Sequence, residues 1–286
     1  MLHGSQRERE NSIMRYSIPA TGTETKSTMT PYHNDILIIG AGVAGSTLAH
    51  ALSTITSRSR GSQLKICLLE RSLAEPDRIV GELLQPGGYK ALKKLGMGDC
   101  LEGIDAVPTY GYCVIESGET VHIPYPDGEE GRSFHHGRFI QALRGKAKQA
   151  VGVDVVEASA GELIECEYTK RVIGVRATRK GAEHKEAFYA DLVVIADGCF
   201  SNFRSAVMGA SAPKSITKSH FVGAVLEDAR LPIPKHGTVA LTKGFGPVLM
   251  YQIAEHDTRI LIDVKTPLPS DLKVTSYNDK NFYLYS

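Results

Sequence analysis

The chain predicts an α/β fold in which a doubly wound parallel sheet is interleaved with a second, β-rich part. Three observations predict it: an apolar run that breaks into spaced glycines and then a helical pattern, a second apolar run soon after it, and alternating hairpin patterns in the middle and the last third. With 286 residues, 42% of them hydrophobic, the chain can bury one large core or two modest ones.

The first element is a short buried strand, Ile36 to Ile39, in "DILIIGAGVAGSTLAHALS"; Gly40, Gly42 and Gly45 follow, then a helix to about Leu52. "SRSRGSQ" reads as a polar turn and "LKICLLER" as a second buried strand ending on Glu70 and Arg71. Strand, glycine turn, helix and strand make a right-handed βαβ unit, the opening of a Rossmann-like sheet. That context makes the Gly-x-Gly-x-x-Gly spacing specific. The first glycine permits the tight turn, the second lets a pyrophosphate touch the backbone, and the third lets helix and strand pack closely. Phosphate oxygens would sit on the helix N-terminal amides, and Glu70 is placed to accept hydrogen bonds from a ribose. The glycines alone do not decide between NAD and FAD.

From Pro86 to Met97, "PGGYKALKKLGM" predicts a helix started by Pro and Gly and stopped by Gly96. "YGYCVIESGETVHIPYP" alternates and turns at Ser117-Gly118, a hairpin of a separate sheet. "GRFIQALRGKAKQA" is helical, with Phe139, Leu143 and Ala147 on one face. Residues 153–198 then read as a strand, a three-stranded antiparallel meander, and another buried strand from Leu192 to Ala196. From Ser219 on, three β-rich runs centre near Phe221, Val239 and Ile260.

Composition removes several classes of function. The 33 basic and 32 acidic residues are interspersed, so no basic block marks a nucleic-acid partner. Five scattered cysteines, none in a Cys-x-x-Cys, read as reduced core thiols of a cytosol-facing protein. The first residues are polar and lack the apolar core of a signal peptide, and no window suits a spanning helix. His135-His136 have no ligand set around them, so no metal site is expected and a hydrogen-bonding role is favoured.

"LVVIADGCFSNFRSAV" bears on the cofactor. Asp197-Gly198 closes a strand, Ser201 is placed to cap a short helix, and Arg204 falls in its first turn. An Asp-Gly after a β-meander resembles the second fingerprint of flavoprotein hydroxylases, in which it helps hold the flavin and a nicotinamide donor. The segment "VGELLQPGG", with "GYCVIESG", "IPYP", "FHHGRFIQALR" and "VVIADGCFSNFRS", closely resembles the squalene monooxygenase (squalene epoxidase) family, from about Asp35 to about Pro269.

The resemblance implies an FAD-dependent monooxygenase that epoxidises squalene to 2,3-oxidosqualene with O2, for sterol or triterpenoid synthesis. It further implies electrons from an NADPH-cytochrome P-450 reductase and attachment to the cytosolic face of the endoplasmic reticulum membrane. Gly40, Gly42, Val43, Ala44 and Gly45 then line the FAD phosphates, Glu70 takes the adenosine ribose, and Arg71, Arg78 and Arg144 fall on FAD contacts, where a fork of donors suits phosphate. Ala160 is a backbone contact on the adenine side, and Asp197 holds the flavin. Gln85 and Tyr112 become positioning residues for the alkene, the Gln85 amide reaching the Tyr112 hydroxyl, while Gly81, Gly87 and Gly88 let backbone approach the isoalloxazine. No Ser/His/Asp order is present to supply a protein nucleophile.

The expected organisation is a disordered tail over 1–34, FAD-binding segments over 35–105 and 135–212, a substrate-sheet segment over 106–134, and a truncated substrate domain over 213–286. The family's third motif, a Gly-Asp followed by a glycine-rich run, is not found; the Gly-Asp at Gly98-Asp99 lies elsewhere. The apolar C-terminal anchor is likewise not found. These departures lead to an expectation of weak FAD affinity and keep an inactive fragment or splice form as the alternative, beside a related flavin hydroxylase of another terpenoid. An NAD-dependent dehydrogenase is disfavoured, because no catalytic His or Tyr-x-x-x-Lys accompanies the glycines.

Overall fold

The computed structural model describes residues 33–54, 62–214 and 216–268, together with the backbone of 283–285. The readings for the N-terminal residues 1–32, for most of the polar turn and for most of the last residues lie outside this range. The first strand, β1 (His33–Ile39), includes His33 and Asn34, so the tail boundary expected at 34 lies inside a strand.

Helix α1 (Val43–Ser53) follows the glycine turn, and β2 (Ile66–Glu70) pairs in parallel with β1, completing the βαβ unit. Alternation along β1 decides what each face meets. Leu37 and Ile39 point into one core, with Cys67, Leu69, Val175 and Phe188. Ile36 and Ile38 point into another, against Ala49 of α1 and Ala147 of α3 (His136–Gln149). In α3 the apolar stripe is Phe139, Ile140, Leu143 and Ala147, all buried, as helical spacing requires.

Between these elements lie β3 (Leu83–Leu84), α2 (Pro86–Lys94), β4 (Val107–Thr109), β5 (Gly111–Glu116), β6 (Glu119–Pro124) and β7 (Gly131–Ser133). Helix α2 ends at Lys94, short of the expected Met97, because Gly96 adopts a left-handed φ of 71° and reverses the chain. The β5–β6 hairpin turns at Ser117 and Gly118 as expected, both at positive φ, which matches a type I′ turn to the strand twist.

The meander region departs from expectation. Three long strands do the work of the five predicted: β8 (Val153–Glu165), β9 (Val172–Arg179) and β10 (Glu186–Ile195). The first part of β8 pairs in parallel with β2 and its remainder antiparallel with β9; β10 pairs with β9 and then, from Tyr189, in parallel with β1. Strands β8 and β10 each change partner without a break, and the ring β1-β10-β9-β8-β2 closes. The expected strand Leu192–Ala196 is thus the end of β10, and it is half-buried: Leu192 is 54% exposed.

The remaining strands are β11 (Ser219–Glu227), β12 (Gly237–Leu241), β13 (Val248–Gln252), β14 (Asp257–Lys265) and β15 (Tyr283–Tyr285). They join β5 and β6 in a seven-stranded sheet of order β15-β11-β14-β13-β12-β5-β6, while β3-β7-β4 form a small sheet of their own. Sequence reading found the runs of β11, β12 and β14 and missed β13. Of the cysteines, Cys67, Cys100 and Cys113 are core thiols as expected, and burial pushes Cys67 up to about 12; Cys166 is half-buried and Cys199 exposed, against expectation. Among the described residues no helix is long and apolar enough to cross a membrane.

Candidate functional site

A cleft of about 740 Å³ opens where the C-terminal ends of β1, β2 and β10 meet the N-terminus of α1. Gly40, Gly42, Val43, Ala44, Glu70, Arg71, Arg78, Arg144, Ala160 and Asp197 all line it; of the residues expected at the cofactor, Gly45 alone stands behind the wall.

The glycines divide the labour. Gly40, at φ 102°, lies so close to the end of β10 that a Cβ would fall 2.5 Å from the Ala196 carbonyl oxygen and 2.9 Å from the Asp197 Cα. The two fingerprints, far apart in sequence, are therefore in contact, and the Ala196 amide donates to the Ile39 carbonyl at 2.8 Å beside them. At Gly45 a Cβ would fall 1.8 Å from the Gly40 carbonyl oxygen, so this glycine serves packing. At Gly42 a Cβ would meet nothing within 4 Å. That space belongs to the cleft. No side chain caps α1 and no acid lies in its first turn, which leaves the leading amides and the positive end of the helix dipole for an anion.

Glu70 holds this turn from below. Its Oε2 accepts the Ala41 amide at 2.8 Å and its Oε1 the Ser72 amide at 3.2 Å, with lone pairs left over for a ribose. Arg144 corrects the expectation made for it. Its Nε donates to the Ala41 carbonyl at 2.9 Å, its NH1 to the Ala74 carbonyl at 3.0 Å, and its NH2 lies 3.4 Å from Glu70. A buried guanidinium committed to these acceptors braces the loop more than it offers a fork to phosphate. Burial lowers its pKa, and Glu70 and Glu157 counter that. Arg71 and Arg78 line the cleft, and the phosphate-binding reading is retained for these two.

Sequence reading missed other parts of the lining. Phe200, Asn202 and Phe203 follow Asp197-Gly198 in the lining, and His136 is part of it too. His136 Nδ1 bonds the Gly81 carbonyl at 3.1 Å and His135 Nε2 bonds Asp257 at 2.8 Å, so both histidines carry hydrogen bonds that tie segments together. Ser201 accepts the Phe203 amide at 3.2 Å, yet the short helix Arg204–Met208 has no side-chain cap, so the capping expectation holds only for the turn before it.

"VGELLQPGG" runs from this cleft to the seven-stranded sheet. Glu82 is buried, Leu83 and Leu84 form β3, Gln85 is the N-cap residue of α2, and Pro86 opens the helix. Gln85 Nε2 donates to the Tyr112 hydroxyl on β5 at 2.8 Å, and the Tyr112 ring meets Tyr125 edge-on at 5.8 Å. Gly87 faces open space, but Gly88 packs on Leu84, where a Cβ would fall 2.4 Å from Cδ1; the approach expected of Gly88 is taken up by this contact.

The fold and this cleft define a class: a two-fingerprint dinucleotide cleft joined to a β-sheet, the architecture of FAD-dependent monooxygenases and halogenases. Solved structures of that kind superpose on it: p-nitrophenol 4-monooxygenase PnpA of Pseudomonas putida at TM-score 0.69 and 14% identity, over 84% of this chain and 60% of that one. The chondrochloren halogenase CndH superposes at TM-score 0.67 and 20% identity, over 82% of this chain and 54% of that one. The sequence is more specific. Residues 189–283 match the family model for squalene epoxidase. Squalene epoxidase erg1 of Aspergillus fumigatus is 47% identical over 83% of this chain and 48% of its own length, and squalene monooxygenase of Mus musculus 40% identical over 89% and 43%. By sequence the chain belongs with the squalene epoxidases, and it spans about half the length of the curated relatives it matches.

Proposed function

We propose that the chain binds FAD in this cleft and serves the epoxidation of a terminal alkene of squalene to 2,3-oxidosqualene. In that reaction one oxygen atom of O2 enters the alkene and the other leaves as water, with two electrons drawn from NADPH. When bound, the flavin supplies the activation of O2. The chain's own residues bind and orient. The open cradle at Gly42 and the uncapped amides of α1 take pyrophosphate, Glu70 the ribose, and Arg71 and Arg78 add positive charge at the rim.

The observation that carries the reading is the Gln85–Tyr112 hydrogen bond. It fixes a polar pair where the segment leaving the cleft meets the seven-stranded sheet, and an alkene held against that pair is the substrate placement proposed here. Such a pair positions a hydrocarbon by shape without itself reacting. The electron donor we propose is NADPH-cytochrome P-450 reductase, in keeping with the family resemblance. The endoplasmic reticulum membrane, cytosolic face, is the proposed location, because squalene is a hydrocarbon and partitions into bilayers.

The test is to purify the chain, titrate it with FAD while recording the flavin absorption band, and incubate the loaded protein with squalene, O2, NADPH and reductase. Bound flavin and 2,3-oxidosqualene are expected. Flavin retention with turnover of another terpenoid only would give the related-hydroxylase reading, and a colourless chain would refute FAD binding.

A further inference from the structure

Glu82 is the third residue of "VGELLQPGG", 1% exposed at its side chain, and faces Arg259, 4% exposed, across 177 residues of sequence. Arg259 Nε donates to Oε2 at 2.9 Å and NH2 to Oε1 at 2.8 Å, a bidentate fork, and the Tyr251 hydroxyl donates to Oε2 at 3.2 Å. Tyr251 on β13 and Arg259 on β14 are register partners, so their side chains rise from one face of the seven-stranded sheet side by side. Burial, with the Glu82 carboxylate beside it, drives the Tyr251 phenol well above its usual range, and it stays a donor.

The main chain around Glu82 is tied at both ends. The Gly81 carbonyl accepts from His136, which lines the cleft; the Glu82 carbonyl accepts the Phe134 amide at 2.8 Å; and Gln85, three positions on, bonds Tyr112. Tyr112 lies on β5, in the same sheet as β13 and β14. The charge on Arg259 is also felt at the cleft: burial raises the pKa of Asp77, which lines it, and Arg259 opposes part of that rise.

Stability alone does not account for this pair. Replacing a buried ion pair by apolar residues of similar volume is often neutral or stabilising, because the charges must be desolvated. What the fork supplies is direction: a planar guanidinium holds a carboxylate in a fixed plane and distance.

We propose that Glu82 is a positioning residue: clamped by Arg259 and Tyr251, it sets the place of the Leu83–Gln85 segment relative to the seven-stranded sheet and thereby the meeting of Gln85 with Tyr112. Its consequence for squalene rests on the function proposed above; its consequence for the Gln85–Tyr112 bond does not.

The test uses the full chain labelled with ¹³C at tyrosine Cζ, in which the Tyr112 resonance is identified by its loss in Tyr112→Phe and its unbonded position by Gln85→Leu. Both charges are removed together in E82L/R259M, which leaves no lone buried charge. The Tyr112 resonance is expected to move to its position in Gln85→Leu, while FAD retention stays within about threefold of wild type. Retention of radiolabelled squalene by the FAD-saturated chain is expected to fall about tenfold, and adding Gln85→Leu to lower it little further, because both changes act through one contact. A Tyr112 resonance that stays at its wild-type position overturns the proposal, as do squalene losses that simply multiply. A wild-type chain that binds FAD and no squalene overturns the proposed function, while the resonance still decides the clamp. Should E82L/R259M not fold, Tyr251→Phe removes one hydrogen bond of the clamp: a part-way shift supports the proposal and an unmoved resonance overturns it.

Discussion

Gln85 Nε2 donates to the Tyr112 hydroxyl at 2.8 Å, joining the N-cap residue of α2 to the second residue of strand β5, 27 residues later. Gln85 is solvent-exposed, so the bond contributes little to folding, toward the low end of about 0.5–1.5 kcal/mol. Its loss should therefore show in function first. Gln85→Leu is expected to keep the flavin-to-protein ratio and the melting temperature, and to lower kcat/KM for squalene by about 10²-fold through misplacement of the alkene. Equal steady-state constants for wild type and variant would show that the pair does not position substrate.

Two alanine substitutions in the glycine turn should part company. Gly42 has φ −81°, which any residue tolerates, and a Cβ there meets no protein atom. Gly42→Ala is expected to fold normally and to bind FAD at least tenfold more weakly, a loss of about 1.4 kcal/mol, because the methyl fills the pyrophosphate cradle. Gly45→Ala instead drives a Cβ to 1.8 Å from the Gly40 carbonyl oxygen, which is backbone and cannot step aside. An overpacking cost of about 1–3 kcal/mol or more is expected. Urea unfolding without FAD, then FAD titration, measures both.

The parts of this fold that were legible in sequence are those built by neighbours in the chain. Ile36 to Ile39, the three glycines and the α1 stripe announce a βαβ turn because alternation and helical spacing are local signals. The Asp197-Gly198 pair was legible as a motif, but its contact with Gly40 is not written in either segment. Strands β8 and β10 were misread as pairs of shorter strands because each exchanges one partner for another midway, between Glu157 and Ala158 and near Tyr189, and the apolar pattern changes with the partner. Arg144 looked like a phosphate ligand since its type suits one; only the folded chain shows the carbonyls that claim it. Glu82 and Arg259 could each have been flagged, an acid in an apolar glycine-rich run and an arginine in phase with Leu261 on β14, yet nothing in the sequence pairs them.

Arg144 yields a prediction about stability. Its donors satisfy Ala41 and Ala74 carbonyls and it pairs with Glu70, at side-chain exposures of 9% and 14%. Arg144→Met leaves two carbonyls and a carboxylate short of partners, and a loss of about 3–5 kcal/mol is expected. Arg144→Lys should recover only part of it, since one ammonium cannot span the three acceptors that the guanidinium reaches. Glu70→Gln retains an oxygen for the Ala41 amide and should cost less than Arg144→Met. Equilibrium urea midpoints rank the three; a lysine variant as stable as wild type would contradict the bracing role.

His136 makes the stability of the site depend on pH. Burial lowers its pKa below the ordinary 6.5, and the cations Arg78 and Arg144 push the same way, while its bond to the Gly81 carbonyl and the Glu82 carboxylate oppose them. With Nδ1 donating to Gly81, the incoming proton adds at Nε2. The unfolded chain takes up that proton near pH 6.5 and the folded chain only at lower pH, so between the two the unfolded state binds more protons. Stability from this group is complete above the unfolded value, declines as pH falls from there to the folded value, and is flat below it. His136→Asn, whose amide can still donate to Gly81 and does not titrate, is expected to lose less unfolding free energy from pH 7 to pH 5 than wild type in urea titrations, by up to about 1.4 kcal/mol for each pH unit of the shift. Parallel curves for the two proteins would mean that His136 titrates as an exposed imidazole, and that the cleft wall beside Gly81 is wetter than its packing indicates.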